Sequence, residues 1–113
     1  MSGEPSFIEI GVPAGGRARA FYGALFDWKF REYGGPESFA VDTPTIGAGI
    51  HTSDPDACMV VYFAVADIEA AARRVRELGG KADEPGPEIE GFGRFVECRD
   101  DQGVRFGLRQ APR

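Results

Sequence analysis

The chain has 113 residues, 42% hydrophobic and 12% aromatic, enough to build the core of one domain and to exclude wholesale disorder. Thirteen basic residues stand against 18 acidic ones, a net charge of −5, which argues against a nucleic-acid binder and steers towards neutral or cationic ligands. The apolar stretch from Ala57 to Ala66 is too short to span a bilayer, so no membrane role is expected. The opening MSGEPSF has neither a basic nor an apolar leader region, and a cytoplasmic location is expected. Cys58 and Cys98 fit no CxxC spacing and read as free thiols of a reducing compartment.

Taken in chain order, Phe7 to Val12 alternates and carries β-branched residues, which predicts a strand. Pro13-Ala14-Gly15-Gly16 breaks it. Arg17 to Phe26 places Ala18, Phe21, Tyr22 and Leu25 at amphipathic helical spacing. Three strands follow: Trp28 to Tyr33, Ser38 to Asp42 and Thr45 to Thr52. Ser53-Asp54-Pro55-Asp56 reads as a linker, after which the pattern restarts. Met59 to Val65 is a strand, and Asp67 is placed to cap a helix from Ile68 to Leu78 that Gly79-Gly80 stops. Arg94 to Cys98 and Val104 to Gln110 complete the list. Sliding the chain by about 53 residues lays Val12 on Val65, Ala18 on Ala71 and Leu25 on Leu78, the mark of an internal repeat.

Alternation also separates two faces. Ile8, Ile10, Val12, Ala48, Ile50, Val61, Phe63, Val65, Phe106 and Leu108 form an apolar face that should lie under the helices. The other face mixes Phe7, Glu9 and Gly11; Gly47, Gly49 and His51; Val60 and Tyr62; Arg105, Gly107 and Arg109. Such a face is either washed by solvent or holds a ligand.

The phrases FIEIGV (7–12), RAFYGALFDW (19–28), YFAVADIEAA (62–71) and RDDQGVRFGL (99–108) resemble the vicinal oxygen chelate (VOC) superfamily. That group holds glyoxalase I, extradiol dioxygenases and bleomycin-resistance proteins. The resemblance covers nearly the whole chain. It implies one α+β domain over residues 1–113, built of two tandem βαβββ modules at about 5–53 and 57–111. The modules would form a curved mixed sheet with a ligand cleft and helices on the outer face, often completed as a homodimer.

In metal-using relatives the first and last strands of each module supply His or Glu ligands. Carried onto this chain, those places fall at Phe7, Gly49, Val60 and Gly107, where no side chain offers a donor. The resemblance is therefore to a metal-less branch, with no metal and no cofactor expected. Glyoxalase I or extradiol dioxygenase chemistry is disfavoured on the same ground.

Glu9 draws attention as a mid-strand carboxylate, either a structural ion pair with Arg105 or Arg109 or a general base and ligand anchor. Candidate ligand-binding residues are Phe7, Glu9, Gly49, His51, Val60, Tyr62, Phe92, Arg105, Gly107 and Arg109, with Phe92 in a loop suited to a lid. Three functions fit. The first is a metal-independent binder of an aromatic or cationic small molecule. The second is a metal-independent isomerase or cyclase with Glu9 as base and Tyr62 or Arg109 steadying negative charge. The third is an accessory protein whose cup is filled by Phe7, Tyr62 and their neighbours.

Overall fold

The computed structural model describes residues 3–113. The elements run β1 (Pro5–Gly11), α1 (Gly15–Phe26), β2 (Phe30–Glu32), β3 (Phe39–Asp42) and β4 (Gly47–His51). They continue with β5 (Cys58–Ala64), α2 (Ile68–Glu77), β6 (Lys81–Ala82), β7 (Arg94–Arg99) and β8 (Arg105–Gln110). This is an α+β chain in which the order strand, helix, three strands occurs twice. Residues 7–59 form one compact unit, and residues 60–113, joined by residues 3–6, form the other.

In the first unit the strand order is β2-β3-β4-β1. β1 runs parallel to β4, pairing Phe7 with Gly47, Glu9 with Gly49 and Gly11 with His51. The other two pairings are antiparallel. Ile10, Ala18, Phe39 and Ile50 make the buried core, with Ile8, Val12, Tyr22, Trp28 and Phe30 packed around it. α1 begins without a capping side chain of its own. Its first amides instead reach distant acceptors: Gly15 N–H donates to Thr52 Oγ1 at 2.9 Å, and Gly16 N–H to Glu37 Oε1 at 3.0 Å. Gly15 is required here, because a Cβ would land on the backbone carbonyl of Glu37. Asp27, left-handed at φ 58°, closes the helix by donating its N–H to the carbonyl of Gly23.

The contact line of α1 differs from the expected one. Gly15 and Ala18 are buried and Tyr22 is half-buried, whereas Phe21 and Leu25 remain 62% and 59% exposed. Residues 15, 18 and 22 follow the i, i+3, i+7 line that the close approach of Gly15 selects. On a helix apolar around most of its circumference, the pattern alone does not choose the buried side.

In the second unit the order is β5-β8-β7-β6. β5 runs parallel to β8, with Tyr62 beside Gly107, and β7 pairs antiparallel with β8 and β6. Ile68, Val96, Cys98 and Leu108 form the core, with Val65, Ala71, Val75, Ala82 and Phe106 against it. Asp67 caps α2 as expected, its carboxylate accepting from Ala70 N–H at 3.1 Å, while Gln110 Oε1 takes the Ile68 N–H at 2.9 Å. The two-residue β6 is too short to show alternation and escapes a sequence reading. Among the described residues no helix is long and apolar enough to cross a membrane.

Candidate functional site

The mixed strand faces carry the expected candidates, and each unit holds its own set. In the first unit every β1–β4 pair on this face joins one side chain to one glycine: Phe7 with Gly47, Glu9 with Gly49, Gly11 with His51. The room left by the glycines is taken by those neighbours. A Cβ on Gly49 would meet Glu9 Oε2 at 2.7 Å and the Phe7 ring at 3.3 Å, and one on Gly47 would meet the same ring at 3.3 Å. Phe7 is buried and Glu9 half-buried, so the carboxylate sits with an aromatic ring in its immediate neighbourhood. His51 lies exposed at the strand end, its Nδ1 3.9 Å from Asp54 Oδ2. Asp54 is folded back over Gly11, where a Cβ would collide with its carboxylate. Sequence reasoning had no signal for Asp54 beyond its place in a turn.

The second unit repeats the device. Tyr62 covers Gly107 so closely that a Cβ there would fall within the phenol ring. Phe95 meets Tyr62 edge-on, centroids 5.3 Å apart. Val60 is fully packed away at 2% exposure. The places beside Gly49 and Gly107, both candidate ligand-binding positions by sequence, are thus occupied from within each unit.

The two arginines of β8 are both engaged. Arg105 Nε donates to Glu97 Oε1 at 2.7 Å. Arg109 donates from Nε to the Phe92 carbonyl at 2.8 Å and from Nη1 to Ser6 Oγ at 2.9 Å, and its guanidinium carbon lies 5.8 Å from the centre of the Phe95 ring. Burial pushes the Arg109 pKa below the usual arginine range. The Phe92 loop is therefore latched down by its own carbonyl. Beside Arg109 opens a cleft of about 360 Å³, lined by residues that include Glu4, Ser6, Ala64, Ala66 and Gln110. Ser6 and Phe95, which shape the setting of Arg109, were not singled out by sequence, since each looks like an ordinary strand residue.

Phe7, Gly49, Val60 and Gly107, the places that the family resemblance assigns to metal ligands, carry no metal-donor side chain. Among the described residues no three His, Cys, Asp or Glu side chains gather into a group able to hold a metal.

Neither Cys58, half-buried, nor Cys98, buried, is in a disulfide among the described residues. Burial, then the carboxylates of Asp83 and Glu97 against the opposing charge of Arg76, pushes the Cys98 thiol from 9.0 up to about 11. An unfolded thiol ionises near 9, so the native form is favoured in full below that pH and loses ground as pH climbs to about 11. The stability advantage of the native protein over Cys98→Ala should shrink across that window by up to about 1.4 kcal/mol per pH unit. Urea denaturation of both proteins at successive pH values reads this, and a gap independent of pH would contradict it.

Among the described residues, eight strands and two helices in two βαβββ modules define a glyoxalase-like fold. The chain belongs to the Glyoxalase/Bleomycin resistance protein/Dioxygenase superfamily, whose profile matches residues 6–108. It is 27% identical to the anthracycline biosynthesis protein DnrV of Streptomyces peucetius, over 94% of this chain and 46% of that protein. The chain thus spans less than half the length of the curated relatives it matches. Among solved structures it resembles Streptomyces coelicolor methylmalonyl-CoA epimerase, with a TM-score of 0.73, 15% identity and coverage of 98% and 99% of the two chains. It also resembles homoprotocatechuate 2,3-dioxygenase from B. fuscum, with a TM-score of 0.77 and 14% identity over 99% of this chain and 33% of that one. At these identities the structural likeness establishes the fold alone.

Proposed function

We propose that this chain is a metal-independent small-molecule binding protein that holds a planar aromatic cation, acting in the cytoplasm as a homodimer. The observation that carries the reading is Glu9, a half-buried carboxylate beside the Phe7 ring on the mixed face of the first module. The half-buried carboxylate offers its charge to an aromatic ammonium, and the buried Phe7 ring beside it gives that charge an apolar setting. The net charge of −5 draws such a ligand in. The curated relatives, named for anthracycline biosynthesis, support a polycyclic aromatic as the ligand class.

Titration with doxorubicin, a fluorescent planar cation, tests this. Saturable quenching with a Kd in the range of about 1–10 μM is expected, and Glu9→Gln should weaken it about tenfold while leaving the fold intact. Absence of saturation below about 1 mM would remove the reading. Sedimentation of the same samples at micromolar concentration checks the dimer, which a monomeric species would refute.

A second reading keeps Glu9 as the general base of an isomerase or cyclase. It is favoured by the half-buried setting of Glu9 on the mixed face, where a carboxylate is placed to take a proton from a bound ligand. Under this reading Glu9→Gln abolishes turnover and retains ligand, the opposite partition from the binding reading.

A further inference from the structure

We propose that the cleft beside Arg109 is a recognition site for the carboxylate of a small organic acid. This site lies wholly in the second unit, so it goes beyond the Glu9 reading and does not depend on it. Arg94, Arg105 and Arg109 are the half-buried arginines among the described residues. Arg94 meets Glu69 at 2.8 Å and Arg105 meets Glu97 at 2.7 Å. Arg109 alone of the three has no carboxylate within 4.0 Å among the described residues, although burial already disfavours its charge. A desolvated cation of this kind is stabilised by an anion from outside.

The guanidinium is also held ready. The Phe92 carbonyl and Ser6 Oγ occupy two of its five N–H groups, and the Phe95 ring centre lies 5.8 Å from its central carbon. Nη2 has no partner among the described residues and remains able to donate. Ser6 accepts from Arg109 through Oγ, so its own hydroxyl hydrogen is left to donate. Arginine and serine donors on one wall suit the two oxygens of a carboxylate. Ala64 and Ala66 supply a small-residue apolar wall, and about 360 Å³ accommodates a bicyclic acid. A single guanidinium with Glu4 on the lining favours a monoanion over a phosphate dianion, because the like charge of Glu4 repels the dianion more strongly.

The test compares 2-naphthoate with its neutral isostere 2-naphthamide on the unaltered, isotope-labelled protein by NMR. Naphthoate should shift the amides of Ser6, Ala64, Ala66 and Gln110 in a saturable way, with naphthamide at least about tenfold weaker. Arg109→Lys keeps the charge and loses the fork, and should weaken naphthoate about fivefold or more. Equal affinity for acid and amide overturns the proposal, as do shifts confined to other regions or no saturation up to about 10 mM. A protein that binds doxorubicin yet treats acid and amide alike keeps the Glu9 reading and loses this one.

Discussion

Gly107→Ala is expected to destabilise the protein by about 3 kcal/mol, whereas the matching change Gly49→Ala costs less than about 1. The two glycines hold corresponding places, one beside the first strand of each module. What differs is the neighbour that would have to yield. At Gly49 the nearest atom is Glu9 Oε2 at 2.7 Å, the far end of a flexible chain that can rotate aside. At Gly107 the new methyl falls within the Tyr62 ring, which is 9% exposed and braced edge-on by Phe95. A packed ring has no rotamer to escape into, so either it or the strand must shift. Tyr62→Ala on its own costs about 3 kcal/mol, but it removes the obstacle. The double variant should then show a favourable coupling of about 2 kcal/mol in denaturant unfolding. Equal costs at Gly49 and Gly107, or strict additivity with Tyr62→Ala, would mean that the ring does not fill the glycine's place.

That contrast also marks how far the sequence could be read. The order of elements was legible because each strand alternates and each helix is bounded by Pro, Gly or Asp with a definite local effect. The apolar face was legible for the same reason, and Ile10, Ile50 and Leu108 lie in the cores as alternation requires. Glycine on the mixed face carried a sign that alternation does not decide. A missing side chain leaves room, but whether a ligand or a neighbour takes it depends on strand register, which sequence pattern does not fix. Register places Tyr62 beside Gly107 and Glu9 beside Gly49, and both hollows are filled. The setting of Arg109 was hidden for a related cause. Its partners come from two distant stretches, Ser6 from the start of the chain and Phe92 and Phe95 from the loop and strand before β8, and only the folded chain brings them to one guanidinium.

The loop that carries Phe92 rests on another glycine, and its replacement is the second large effect. Gly93→Ala should cost about 3 kcal/mol or more, against about 1 for Gly91→Ala two residues earlier. Both glycines have positive φ, 96° and 80°, so both substitutions bear the left-handed strain of an L side chain. Gly91 has nothing within 4 Å of the added methyl. At Gly93 the methyl lands on the Gln110 carbonyl oxygen, with Ala111 C and Pro112 N each at 3.0 Å. These are backbone atoms at the end of β8, where no side-chain rotation relieves the contact. The strain has a defined way out. Gly93 is bridged to Ile89, whose N–H donates to the Gly93 carbonyl at 2.8 Å, and the Phe92 carbonyl holds Arg109 Nε. Opening this turn relieves the clash and gives up both bonds. Gly93→Ala should therefore speed hydrogen exchange at the Ile89 amide by at least about tenfold, whereas Gly91→Ala leaves it close to the native rate. If the two variants melt together and exchange alike, β8 does not press on Gly93. The latch on Arg109 would then rest on the Phe92 carbonyl alone, without support from the turn beneath it.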